Sequence, residues 1–444
     1  MKRIILTDKI VRDMDQEVFN QDCTLYPDYT YIRVTPGRYT YAFNPSLNWE
    51  GCLISWGDGT VNASTTHVYG KENDTTGCII TIQGKIPTFI TDTPFDKEHT
   101  EELIHLGMSD SLVSRLFDGC INFKRIQPDA LSYRDDILSV SHMFRGCKAL
   151  EAIPKGLFDV CKNVKFCDYT FAQCENIESV PDRLFDSFAL VTSFNGTFEE
   201  CKSLKHLPSG LFSKCSKVTS FKRVFSGCST LDIIPRNTFH GCVSVESFSG
   251  AFYCCSIKKI PPKLFRDCSA VTDYSRVFSE CYFIEDIPET LFVYSPLVTD
   301  FSYAFRCLML LTKIPENLFA NNKMATNFTG VFRSCNHVKE IPENLFHNNT
   351  EAKKFDYAFS RLFDLKSIPA ELFKNNTKVH EFLMTFEDCK SLVDVPDEFA
   401  DMLCSHSIYH TNMFRGCESL SVETKQRLGI TCSSDESKDE SEED

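Results

Sequence analysis

The chain has 444 residues, 42% of them hydrophobic and 24% charged, which is enough apolar material for a folded core and excludes a wholly disordered chain. The net charge of −14 argues against a protein that holds duplex nucleic acid through phosphate contacts. No stretch of about 18 consecutive apolar residues occurs, so no transmembrane helix is predicted.

The N-terminal segment, residues 1–21, lacks the pattern of a secretory signal. Its apolar run, residues 4–6, is short and is closely followed by acidic side chains. A signal peptide needs an apolar run of roughly 7–15 residues. We therefore expect the protein either to remain inside its cell or to leave it by another route, such as assembly into a virus particle.

Residues 22–90 are predicted to form a small all-β sandwich. Apolar and polar residues alternate in segments 29–34 and 78–82, which is typical of strands with one buried face. Between them lies a strand-like run that ends in Trp-Gly-Asp-Gly. This sequence predicts a tight turn, because glycine adopts positive φ and aspartate accepts hydrogen bonds from nearby amides.

The order Trp-Gly-Asp-Gly, then His-x-Tyr, then a glycine before a last strand resembles the PKD-type immunoglobulin-like domains. The resemblance implies that Trp56 lies in the core and that Asp58 holds the turn, so the motif is structural. Residues 91–116 then become a linker that also caps the following domain. The motif residues are Trp56, Gly57, Asp58, Gly59, His67 and Tyr69.

Residues 117–420 consist of a repeat with a period of 27 residues. Prolines recur at this spacing from Pro154 to Pro396, and phenylalanines recur from Phe117 to Phe414. Both columns contain a single step of 26 residues, which predicts a one-residue deletion between Phe252 and Pro261.

Each repeat divides into two halves that carry an apolar side chain at every third position. This spacing suits short helical or 3₁₀ turns followed by short extended runs. One repeat cannot bury its own phenylalanine face, whereas stacked repeats form a continuous core. We therefore predict a solenoid of about eleven coils.

Cysteine is the other residue that follows the period, because fourteen of the 22 cysteines occupy core-facing repeat positions. Leu308 and Leu362 replace cysteine in its main column, which indicates a small buried hydrophobic residue and a reduced thiol. Disulfides between coils and a metal site are the alternatives, but no Cys-x-x-Cys pair occurs. Representative core positions are Phe144, Cys147, Phe171, Cys174, Phe198, Cys201, Phe225, Cys228, Phe332 and Cys335.

The cysteine column of the half-repeat changes to asparagine along the chain, at Asn322, Asn349 and Asn376. Asparagine bonds backbone groups in turns and tolerates left-handed geometry. Stacked asparagines predict a hydrogen-bonded polar ladder; the alternative is a polar binding strip on the C-terminal half of the repeats.

The segment Met143-Phe144-x-x-Cys147-x-x-Leu150 resembles the BspA-type leucine-rich repeat, and the resemblance extends over the repeat region. It implies a leucine-rich-repeat-type α/β solenoid. Members of that family are mostly bacterial and protozoan surface proteins implicated in adhesion and protein binding, and similar PKD-plus-repeat chains occur in phages of gut bacteria. The resemblance therefore implies a cell-surface or virion location.

Beyond the repeats, residues 421–432 are predicted to cap the solenoid and residues 433–444 to form a disordered tail. The tail contains seven acidic residues and one lysine.

No pairing of histidine with a repeated nucleophile, no phosphate loop and no dinucleotide fingerprint is found, so an enzyme, a cofactor and a metal are not expected. The leading hypothesis is recognition of a protein or glycan partner by the solenoid surface. A structural phage virion component and an intracellular scaffold are the alternatives. Exposed charges that could contribute to a binding face are Lys202, Arg223, Arg276 and Lys353.

Overall fold

The computed structural model describes residues 4–5, 24–70, 77–87, 92–107, 109–405 and 409–428, with backbone alone at 4–5, 24–25 and 404–405. The acidic tail and most of residues 1–21 therefore lie outside the described residues. The strands are β1 Ile4–Ile5, β2 Thr24–Leu25, β3 Thr30–Val34, β4 Tyr39–Ala42, β5 Leu53–Ser55, β6 Val61–Asn62, β7 Thr66–Tyr69, β8 Ile79–Gln83, β9 Thr100–His105 and β10 Arg125–Ile126. The helices are α1 Asp397–Ser405 and α2 Val422–Arg427.

The N-terminal part contains a six-stranded sheet in the order β10-β9-β3-β8-β5-β6 and a separate antiparallel pair, β4-β7. The alternating segments expected to be strands coincide with β3 and β8, which pair antiparallel. Tyr41 of β4 and Phe43 pack against Trp56, with ring centroids 6.1 and 5.5 Å away. Aromatic side chains from both sheets thus form one core.

The segment 91–116 differs from the expected linker, because it contains a fully buried strand, β9. This strand pairs antiparallel with β3 and parallel with β10, so the sheet continues from the N-terminal part into the first repeat. The physical reason is a buried ion pair that compensates the charges of β9: Arg33 Nε donates to Glu102 Oε2 at 2.8 Å. The strand is therefore the first rung of the stack rather than a tether.

In the repeat region, parallel bridges join residues one period apart. They run in one column from Leu112 to Tyr409, with steps of 27 residues except for one of 26 and one of 28. Backbone amides donate to the following coil, as when Phe171 N donates to Thr197 O at 2.9 Å. The stack begins slightly before residue 117, since Leu112 already bridges to Ser139.

The core is a set of stacked phenylalanine columns. Phe144 and Phe171 stack with centroids 5.5 Å apart and an interplanar angle of 7°, and Phe198 and Phe225 at 5.7 Å and 6°. Phe332 stacks on Phe305 in the same way, at 5.6 Å and 8°. Burial of a large side chain stabilises by about 1.5–3 kcal/mol, and here each ring is buried by its own repeat and its neighbours.

The irregular steps have local causes. Cys255 is buried in its column and Ile257 occupies the next buried position, so the one-residue deletion falls at Ser256. The 28-residue step accommodates α1, which the repeat pattern does not predict. After the last coil, Ser421 caps α2 by accepting a bond from Thr424 N at 3.0 Å. Within the described residues, no helix has the length and apolar character needed to span a membrane.

Candidate interaction surface

The cysteine columns form hydrogen bonds as well as apolar packing. Cys147 Sγ donates to Phe117 O at 3.2 Å, and Cys174 Sγ donates to Phe144 O at 3.1 Å. The same contact to the phenylalanine of the preceding coil is made by Cys201, Cys228 and Cys335. Every cysteine whose side chain is described is a free thiol. Burial raises the pKa of these column thiols, so they stay protonated and donate.

The asparagine column makes the equivalent bonds. Asn349 Nδ2 donates to Phe319 O at 3.1 Å and to Asn322 O at 2.8 Å, and Asn322 and Asn376 repeat this pattern. The ladder therefore runs from side chain to backbone rather than between amide groups. All three side chains are buried, so the alternative of an exposed polar binding strip is wrong.

The N-terminal motif residues come together around Trp56. His67 stacks on the Trp56 ring with centroids 4.9 Å apart, and Tyr69 Oη donates to Trp56 O at 2.8 Å. Asp58 accepts from Thr60 N at 3.0 Å and lies 2.7 Å from His67 Nε2. Gly57 has a φ of +81°, and a Cβ there would lie 2.6 Å from Ile79 O. Both Asp58 oxygens thus hold the turn, the structural role that the PKD resemblance implies for them.

One outer corner of the stack carries a left-handed residue in every coil. Its column has positive φ throughout although most of its members are not glycine, which costs of order 1 kcal/mol at each such residue. The side chains of successive coils are therefore held in register along this corner. Its members are Arg115, His142, Tyr169, Gly196, Arg223, Gly250, Arg276, Tyr303, Gly330, Tyr357, Met384 and Asn412.

Most arginines near this corner are paired with a carboxylate. Arg223 pairs with Glu199 of the preceding coil, and Arg306 Nη1 lies 3.3 Å from Glu280 Oε1. Arg115, Arg145, Arg361 and Arg415 are paired as well. Among the described residues, Arg276 and Arg333 have no carboxylate within ion-pair distance and instead lie over tyrosine rings.

These two arginines define the cation–tyrosine cluster, which consists of Arg276, Tyr303, Arg333 and Tyr357. The Arg276 guanidinium carbon lies 5.4 Å from the Tyr303 ring centroid, and that of Arg333 lies 5.0 Å from the Tyr357 centroid. Stacking on the rings fixes both guanidinium groups while leaving their N–H groups to other acceptors.

An apolar strip, defined as Tyr282, Phe283, Met309 and Leu310, occupies the next corner of the same coils. Phe283 is 49% exposed and Leu310 43% exposed. The strip adjoins the arginine corner, because Tyr282 Oη donates to Glu280 Oε2 at 3.1 Å and Glu280 also pairs with Arg306. The equivalent pairs of other coils include Lys148-Ala149, Lys202-Ser203 and Ser229-Thr230.

Of the charges expected at a binding face, Lys202 lies 3.5 Å from Glu175, Arg223 pairs with Glu199, and Lys353 is exposed. Only Arg276 belongs to the cluster. Tyr303 and Tyr357 were not anticipated, although both fall on the 27-residue period. No group of three or more metal-ligating side chains occurs in the described part of the chain.

No protein-family model and no curated protein matches this chain. Similar solved structures include a leucine-rich repeat protein from Bacteroides ovatus, with 18% identity over 72% of this chain and 77% of that one and a TM-score of 0.37. A leucine rich cell surface protein from Faecalibacterium prausnitzii has 15% identity over 90% and 99%, with a TM-score of 0.37. An internalin from Listeria monocytogenes has 12% identity over 64% and 82%, with a TM-score of 0.30. Because these scores are low, the account of the fold rests on the bridges and stacked rings of this chain.

Proposed function

We propose that this chain is a non-enzymatic interaction protein that recognises a protein or glycan partner through the outer surface of its stacked coils. The observation that carries this is the register of the left-handed corner, where successive coils place a side chain at the same position of the backbone. A stack of this kind presents an extended, rigid surface, and extended surfaces of repeat proteins are used for binding. The low conformational freedom of the backbone lowers the entropy lost on binding.

Two features of the composition support binding over a purely structural role. The corner carries arginine and tyrosine, which are enriched among residues that dominate binding energy. The adjoining strip exposes large apolar side chains where other coils have charged or small polar ones. Leucine-rich repeat and PKD-like resemblances agree with an adhesion role, and they place the proposed partner outside the N-terminal domain.

The experiment uses the full chain with two probes: a displayed library of random 12-residue peptides and an array of neutral and anionic glycans. Saturable binding to one of them is expected, and it should disappear when the chain is heat-unfolded. A folded chain, as judged by circular dichroism, that binds neither probe saturably contradicts the proposal.

A further inference from the structure

We infer that the cation–tyrosine cluster and the apolar strip together form the docking site for a protein segment that carries two carboxylates beside a large apolar side chain. The inference rests on the proposed function and specifies its partner and its place on the surface. The residues that carry it are Arg276, Arg333, Tyr303, Tyr357, Phe283 and Leu310.

The first step concerns charge. The other arginines along this corner are neutralised by carboxylates of the same or an adjacent coil, as Arg223 is by Glu199. Arg276 and Arg333 have no such partner among the described residues, although the protein as a whole carries a charge of −14. A guanidinium fork fixed on a ring is suited to bidentate bonds with a carboxylate, which are stronger than bonds between neutral groups.

The second step concerns spacing. Arg276 and Arg333 belong to coils that are two apart in the stack, since Arg276 N donates to Ser302 O and Tyr303 N to Thr329 O. Coils paired as parallel strands are about 4.8 Å apart, so the two cations are roughly 10 Å apart along the stack. An extended peptide rises about 3.3 Å per residue, so carboxylates three residues apart match this distance.

The third step distinguishes a protein partner from a sugar. Sugars are commonly held on an open aromatic face, but both faces of the Tyr303 ring are covered. Arg276 lies over one face, and Gly330 of the next coil lies against the ring so closely that a Cβ would be 2.4 Å from Cδ1. The cluster therefore offers guanidinium N–H groups and ring edges, which suit carboxylates better than the apolar face of a pyranose.

The fourth step concerns the apolar strip. Phe283 and Leu310 are each more than two fifths exposed, and the strip is joined to the arginine corner through Glu280. Interfaces between proteins combine buried aromatic and arginine anchors with a surrounding polar rim. An apolar side chain beside the carboxylates of the partner would cover this strip, which a purely ionic ligand would leave exposed.

The test compares two double variants of the full chain. Arg276→Gln with Arg333→Gln removes both cations of the cluster. Arg236→Gln with Arg266→Gln is the matched control, since it makes the same charge change at two exposed arginines elsewhere on the stack that have no ion pair among the described residues. Circular dichroism and the thermal midpoint confirm that both variants are folded.

The probe is the most enriched peptide from the displayed library, synthesised with a fluorescent label, and a copy in which asparagine and glutamine replace its acids. We expect enriched peptides to combine two acidic residues with a large apolar one. Binding of the labelled peptide should weaken at least tenfold in the cluster variant, should not change in the control variant, and should be lost for the amide copy. Phe283→Ser with Leu310→Ser should weaken it several-fold.

The other outcomes separate the two proposals. Peptides that bind the cluster variant as tightly as the parent chain overturn this site while the proposed function stands. Anionic glycans that bind and are lost with the cluster arginines overturn the peptide partner. Failure of every peptide and glycan to bind contradicts the proposed function itself.

Discussion

The ring of Tyr303 lies against Gly330 of the following coil, with Cδ1 and Cε1 each 2.4 Å from where a Cβ of residue 330 would stand. The same relationship holds between Tyr169 and Gly196, where a Cβ would lie 2.2 Å from Cε1. In both places the residue after a tyrosine in the left-handed column is glycine. Glycine is needed there for two reasons, its positive φ and the space that the ring occupies.

Gly330→Ala should therefore displace the Tyr303 ring as well as strain the backbone. The φ of +57° at Gly330 costs alanine of order 1–2 kcal/mol, and the clash adds to this. Gly210→Ala is the matched control, because Gly210 has a φ of +69° but its nearest side-chain contact would be at 3.6 Å. Urea midpoints should fall further for Gly330→Ala than for Gly210→Ala; equal losses would show that the ring yields without cost.

The cysteine columns allow a direct test of whether the thiol acts as a donor. Cys201 Sγ donates to Phe171 O at 3.1 Å. Cys201→Ala loses both this bond and sulfur packing, and about 1–2 kcal/mol of unfolding free energy should be lost. Cys201→Ser keeps a donor, as Ser295 does when it donates to Cys268 O at 3.1 Å, and should be the milder change. If serine proves the more damaging in denaturant titrations, the column selects for apolar character alone.

The asparagine column should tolerate the loss of its donors poorly. Asn349 donates to two carbonyl oxygens, so Asn349→Ala should lower the unfolding free energy by about 2–4 kcal/mol. Asn349→Asp keeps the shape but places an acceptor against those carbonyls, so it should be worse at pH 7. Hydrogen exchange of the amides in that coil and its neighbours measures the local loss. An aspartate variant as stable as the parent would contradict these bonds.

The period, the phenylalanine columns and the position of the deletion were accessible from the sequence because each depends on one side chain repeated in register. The strand β9 was not, since its buried Glu102 gives the segment the composition of a linker until Arg33 is seen to pair with it. The left-handed column was also missed, because glycine occupies few of its positions and arginine or tyrosine many. The cluster depends on which arginines lack a carboxylate, and only the neighbouring coils reveal that.

Thiol reactivity should follow burial rather than the number of cysteines. Among the cysteines with described side chains, Cys78, Cys254 and Cys307 are partly exposed and the rest are buried. Burial also raises the pKa of the column thiols, as at Cys281, where it reaches about 12, so the reactive thiolate is scarce. Brief iodoacetamide treatment followed by peptide mass spectrometry should label these three first, and urea should expose the rest. Early labelling of Cys201 or Cys228 in the folded chain would contradict the packed columns.

His142 should make the stability of the first coils depend on pH. Its ring stacks on Tyr169 with centroids 5.0 Å apart, and burial, followed by the charges of Arg115 and Arg145, lowers its pKa from 6.5 to about 4. Because the folded state resists protonation, the stabilising effect is complete above pH 6.5 and is lost as the pH falls from there through 4.

NMR titration of the His142 ring should therefore give a pKa near 4. The difference in urea midpoint between pH 7 and pH 4.5 should be smaller for His142→Gln than for the parent chain. Burial lowers the pKa of His105 as well, so His105→Gln serves as a comparison that removes a separate part of the same dependence. A His142 ring that titrates at 6.5 or above would show that it is open to solvent and that the His142–Tyr169 stack does not hold in solution.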